Sequence, residues 1–270
     1  MTQATDNQSY CQNMVRNDDP DRYLTVLFAA EDKRRALFAL YAFNQEIAKT
    51  RETVSETMIG EIRLQWWAEA IEQILDGHVR EHPVVQELSE IAQLRTIAPL
   101  LMDVIEARKS DLYTDGIADM DALKNYAENV GGKLCQAALL ICNDGQPDGR
   151  EVAVKCGTAW ALMGLIRAIP FQASSDDQLI SFGVNSNLQQ FDDQVREIVQ
   201  NIATEIENGL KNTKLKSNEA KDQSVLLLIS MTRKYLSALK RSDYKVSMFV
   251  DNQPGTARKI IGMIWQAIVG

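Results

Sequence analysis

Residues 38–56, "FALYAFNQEIAKTRETVSE", decide the fold. Apolar side chains recur there at helical spacing, no Gly or Pro interrupts them, and Asp32 stands upstream as a candidate cap. The stretch therefore predicts one long helix over 33–53. Thr57 opens a second helix, which Gly77 ends. Further helices are expected over 84–95, after Pro83, and over 98–113.

Outward from this pair the same periodicity continues. Residues 119–142 form a long helical pattern with Gly131 and Gly132 inside it. Each glycine costs about 1 kcal/mol against alanine, so the pair predicts a close helix approach, a kink or room for a ligand. Residues 151–171 are the most apolar helix, expected to break at Pro170. Residues 174–187 read as irregular, 189–212 as helix, 213–222 as a polar loop, and 223–241 and 256–270 as helices. At the N-terminus, residues 1–9 read as a polar tail and "SYCQNMVRN" as a short helix ended by the "DDPD" turn. No tandem repeat or βαβ pattern interrupts this series. The prediction is a single all-α domain, 1–270, of eight to ten helices around a central cavity or core.

Composition agrees. Six prolines and fourteen glycines in 270 residues are few, which favours helices. A net charge of −8 argues against nucleic acid as a partner. The four cysteines have no CxxC spacing and read as buried thiols in a reducing compartment. "MTQATDNQSY" has neither an apolar h-region nor an Arg-rich amphipathic pattern, and no apolar run reaches about 18 residues, so neither a signal peptide nor a spanning helix is expected. The expected location is cytoplasmic, at most peripheral to the inner membrane; the apolar C-terminal "KIIGMIWQAIV" reads first as core packing and otherwise as a dock for a membrane or a partner.

Candidate chemistry is sparse. His78 and His82 are four apart, but Gly77 and Pro83 bracket them, so turn histidines are a simpler reading than a metal pair. Three acidic groups, Asp18-Asp19 with Asp21, Asp176-Asp177 and Asp192-Asp193, read as helix caps. In "RLQWW" adjacent Trp66 and Trp67 face different sides of a helix, one toward the core. Arg63 and Arg167 lie in apolar helices and need a carboxylate or an anion.

Taken together, "DRYLTVLFAAEDKRRALFALYAFNQEIAKTRETVSE", "IGEIRLQWWAEAIEQIL", "LKNYAENVGGKLCQAALLI" and "CGTAWALMGLIRAIPF" resemble, in order, segments of the squalene/phytoene synthase family. The resemblance spans about residues 10–180. It implies the all-α isoprenoid-synthase fold. In active members two D-x-x-x-D motifs face each other across a cavity. Residues i and i+4 share a helix face, so each motif aims two carboxylates at Mg²⁺ ions that bridge to a prenyl diphosphate.

Carried onto this chain, the first motif falls on Ala48 and Glu52, with Lys49 beside it, and the second on Ala168 and Gln172. Of four carboxylates only Glu52 is left. The resemblance further implies a cavity lined by Tyr41, Asn44, Lys49, Arg51, Glu52, Asn129, Gly132 and Arg167, with Phe43, Trp67 and Trp160 as candidates to fill it. "AFNQEIAKTRETVSETMIGEIRLQWW" and "NYAEN" are most similar to a divergent branch whose eukaryotic member assists assembly of respiratory complex I. That branch is held to lack synthase activity. The expectation is thus a non-catalytic assembly or prenyl/lipid-binding factor, without cofactor, whose partner is a respiratory-complex subunit. The alternative is an active Mg²⁺-dependent head-to-head prenyltransferase with an altered site rebuilt from Glu52 and Asp176 or Asp177.

Overall fold

A computed structural model describes residues 2–54, 56–113, 117, 119–172, 191–211 and 224–269. In chain order the α-helices are α1 Thr2–Asp18, α2 Pro20–Val26, α3 Glu31–Ala48, α4 Thr50–Thr53, α5 Thr57–Leu75, α6 Pro83–Ser89, α7 Leu94–Arg108, α8 Met120–Ala127, α9 Lys133–Cys142, α10 Arg150–Gln172, α11 Phe191–Leu210, α12 Leu228–Arg241, α13 Val246–Asp251 and α14 Thr256–Val269. No strand occurs among the described residues. The all-α architecture expected from periodicity is what the chain adopts.

Several boundaries differ for local reasons. The polar stretch expected as a tail is helical from Thr2, and Asn7 Nδ2 donates to Gln86 Oε1 of α6. Asp32 does not cap α3. Ala30 holds the N-cap position, while Asp32 sits in the first turn beside Lys33, where its charge suits the helix dipole. The helix expected over 33–53 is interrupted at Lys49 and resumes as α4. The one expected over 84–95 ends at Ser89, and the next begins early, at Leu94. Two short helices, α2 and α13, went unpredicted, because six or seven residues carry too little periodicity. The irregular stretch and the polar loop expected at 174–187 and 213–222 lie outside the described residues.

Pro170 does not break α10, which runs on to Gln172. It falls in the last turn, where the ring disturbs little downstream structure. By length and composition, 150–170 is also apolar enough to cross a membrane, contrary to the expectation of no such run, although 56% of that window is buried inside the protein. That burial follows from position. Helix α10 packs against α8, α9, α11, α12 and α13 and is the hub of the bundle.

The glycine pair explains how α10 gets so close. Residues 128–132 open into a π-helical turn between α8 and α9, and its Gly131 lies on Gly157 of α10. A Cβ on Gly131 would sit 2.6 Å from Ala161 Cβ, and one on Gly157 2.6 Å from Cys135 Cβ, with the opposing backbone carbonyl closer still in both cases. Only glycine allows this contact.

Phe43, Trp67 and Trp160 are all buried. Phe43 meets Trp67 edge-on at 5.6 Å between ring centroids, and Trp160 meets Tyr235 at 5.8 Å. Both tryptophans meet the His82 ring, but Trp66 is only half-buried and lies under the Arg80 guanidinium while Trp67 faces the core. All four cysteines are free and buried, and burial pushes the Cys11 thiol up to about 12.

Gly131→Ala should cost about 1–3 kcal/mol through overpacking despite alanine's better helix propensity. Gly164→Ala, on α10 with nothing within 4 Å of the added Cβ, should be neutral or stabilising by up to about 1 kcal/mol. Urea denaturation of the two variants checks the contrast.

Candidate functional site

The site grows from the turn between α1 and α2. Helix α1 ends at Asp18, Asp19 caps α2, and Pro20 fills the first helical position, where its missing N–H costs nothing. Asp19 Oδ1 accepts from the Arg22 backbone N–H at 3.1 Å and Oδ2 from Arg22 Nη1 at 2.7 Å. The reading of this acidic run as capping therefore holds for Asp19.

It does not hold for Asp18 or Asp21. Asp18 Oδ2 lies 2.6 Å from Lys49 Nζ, at the interruption between α3 and α4. Asp21 is 2% exposed and binds three elements at once. Its Oδ1 accepts from Lys259 Nζ of α14 at 2.7 Å. Its Oδ2 accepts from the Tyr235 hydroxyl of α12 at 2.7 Å and from Arg167 Nη1 of α10 at 3.4 Å. Arg167 also stacks over Tyr235, 4.6 Å from its centroid. Burial, reinforced by Asp21 and opposed by Arg167, raises the Tyr235 pKa, so the hydroxyl keeps its proton as donor.

The acidic turn thus holds the cations that adjoin both positions where the resemblance puts the motifs. Lys49, beside the first, is paired with Asp18. Arg167, beside the second, is paired with Asp21. The other expected residues are scattered. Ala48 is half-buried, Glu52 on α4 is exposed and Arg51 is half-exposed. Tyr41 is buried with the Arg22 guanidinium 5.4 Å from its ring. Asn44 is buried, and its Oδ1 has no hydrogen-bond partner among the described residues. Asn129 Nδ2 donates to Asn125 O of the preceding turn, and Gly132 faces Thr158 and Val154 of α10. Ala168 is half-buried in α10. Gln172 ends that helix. Asp176 and Asp177 lie outside the described residues.

The donor set does not suit Mg²⁺. The ion wants near-octahedral oxygen ligands. Ala48 and Ala168 have none to offer, Lys49 brings a positive charge, and Glu52 is exposed. Among the described residues, no three His, Cys, Asp or Glu side chains are grouped to hold a metal. His78 and His82 belong to the turn instead, His82 Nδ1 accepting from Val84 N at 3.2 Å as the cap of α6. Arg63 also finds a structural partner, Glu46 Oε2 at 2.8 Å.

The residues sequence reasoning missed are Asp21, Tyr235 and Lys259. A signal was present: Lys259 lies in an apolar helix and needs a partner by the argument applied to Arg63 and Arg167.

Asp21→Asn should destabilise the protein by about 3–5 kcal/mol, because it leaves two cations without their buried counter-charge. A much smaller shift in chemical denaturation would show the cluster to be marginal. Burial also lowers the His82 pKa, with Glu46 raising it and Arg63 lowering it further. The folded state therefore favours neutral imidazole. Its contribution is complete above the ordinary value of 6.5 and is lost as pH falls below that, because the unfolded chain binds the proton more readily. His82→Asn, which keeps a capping acceptor, should flatten the fall in denaturation midpoint through this window.

Comparison with known proteins agrees with this architecture. A dehydrosqualene synthase in complex with ligand superposes with a TM-score of 0.77 at 16% identity, covering 98% of this chain and 96% of that one. A squalene synthase from Alicyclobacillus acidocaldarius does so with a TM-score of 0.70 at 14% identity, over 91% and 97%. Among curated proteins, the chain is 29% identical over 250 residues to NADH dehydrogenase (ubiquinone) complex I, assembly factor 6 of Mus musculus, covering 88% of this chain and 75% of that protein. The Homo sapiens protein of the same name is 26% identical over 249 residues, with the same coverage. The squalene/phytoene synthase profile matches residues 15–258, and the chain belongs to that family.

Proposed function

We propose that this chain is a non-catalytic member of the squalene/phytoene synthase family that assists assembly of respiratory complex I. The observation that carries the reading is what stands at and beside the two positions where the resemblance puts the family's carboxylates. Those positions hold Ala48, Glu52, Ala168 and Gln172, and the neighbouring Lys49 and Arg167 are each paired with an aspartate of the turn between α1 and α2. Similarity to proteins named as complex I assembly factors supplies the biological direction. The partner is then a subunit or assembly intermediate of that complex, and no cofactor is required.

A second reading has one observation in its favour. The buried Oδ1 of Asn44 lacks a hydrogen-bond partner among the described residues, and as an acceptor it suits a bound lipid that carries a hydroxyl or amine donor. Because Lys49 and Arg167 already have carboxylate partners, an anionic headgroup would have to compete with Asp18 and Asp21. Binding of this kind is compatible with the assembly role and uses no metal.

Incubation with farnesyl and geranylgeranyl diphosphates, with and without Mg²⁺, should give no head-to-head product by mass spectrometry while an active synthase run in parallel does. Product formation would overturn the non-catalytic reading. Deletion of the gene should lower assembled complex I on native gels, and unchanged levels would overturn the assembly reading.

A further inference from the structure

Helix α14 carries apolar side chains on two opposite faces. On the inner face Met263 is fully buried, Ile260 packs against the core, and Lys259 reaches Asp21. On the outer face Ile261, Ile264 and Trp265, at i, i+3 and i+4, are 65%, 44% and 70% exposed. Trp265 is the most exposed large apolar side chain among the described residues. Isolated exposed apolar residues are ordinary, but three on one helix face form a patch with a use.

Cations flank this stripe. Arg258 is exposed and lies one turn before Ile261, at the stripe's edge by helical spacing. Lys234 of α12 lies against Gly262, where an added Cβ would stand 2.7 Å from its Nζ. Neither Arg258 nor Lys234 has an ion pair among the described residues. The charge is regional as well. Residues 228–270 hold seven Lys or Arg and two Asp or Glu, a local charge of +5 in a chain of net −8.

An exposed tryptophan with aliphatic neighbours and unpaired cations matches a bilayer interface. The indole favours the headgroup level, the aliphatic groups enter the acyl boundary, and Lys and Arg are drawn to anionic lipid. A second copy of the chain fits less well, since a symmetric contact would bring the two sets of cations together. We propose that α14 docks the protein on the surface of an anionic bilayer through Ile261, Ile264 and Trp265, with Arg258 and Lys234 against lipid phosphates. The inference stands apart from the assembly role. It also places the bilayer one helix away from Asp21, through Lys259.

The full chain should float with vesicles of phosphatidylcholine and phosphatidylglycerol in equal parts, and not with phosphatidylcholine alone. High salt should weaken the binding, and Trp emission should shift to the blue on binding. Trp265→Phe should remove most of that shift. Arg258→Ala should weaken binding about fivefold, and Ile261→Ser with Trp265→Ser by about tenfold or more. These positions are exposed, so far-ultraviolet circular dichroism should be unchanged. No flotation with anionic vesicles at low salt would overturn the proposal. So would equal binding by the double-serine variant, or a dimer by sedimentation that the same variant dissolves.

Discussion

One buried carboxylate joins the two ends of this chain. Asp21, near the N-terminus, accepts from Tyr235, Arg167 and Lys259 and so ties α2 to α12, α10 and α14. A buried carboxylate is costly unless its partners are close and well placed, and here two cations and a hydroxyl share that task. The exposed ends of the cluster matter as much. Arg167 is held toward Asp21 and stacked on Tyr235, and that arrangement occupies the place where the family resemblance puts the second metal-binding motif.

The π turn and α10 meet through Gly131 and Gly157, an approach that leaves no room for a Cβ. At the positions where the resemblance puts carboxylates stand Ala48, Glu52, Ala168 and Gln172, and the adjoining cations Lys49 and Arg167 are matched by Asp18 and Asp21. A fold does not by itself fix the function, which rests on the sites and surfaces it carries. The most distinctive surface is α14, whose inner face belongs to the Asp21 cluster and whose outer face is apolar and bordered by Arg258 and Lys234, which have no ion pair among the described residues.

Much of this was legible in the sequence. Long stretches of helical periodicity or continuous apolar character marked α3, α5, α9, α10, α11 and α12, and the glycine pair announced the close contact that α10 makes. The resemblance placed Ala48, Ala168 and Gln172 where it calls for carboxylates. What escaped was set by tertiary context. Asp21 sits in a run that looks like capping, and Asp19 does cap, so only the arrival of Tyr235 and Lys259 from the far end of the chain distinguishes its neighbour. Pro170 looked like a helix end but lies where α10 is already finishing. Helices α2 and α13 were too short for periodicity, and the interruption at Lys49 coincides with an ion pair to a residue on another helix.

The central claim is that the motif positions of this chain do not gather divalent metal around diphosphate. Titration of Mn²⁺ into the full chain with inorganic diphosphate, followed by the paramagnetic resonance signal of the unbound ion, tests it most directly. The signal should grow as it does with diphosphate alone. Stoichiometric loss of that signal, relieved by Glu52→Gln, would contradict the claim.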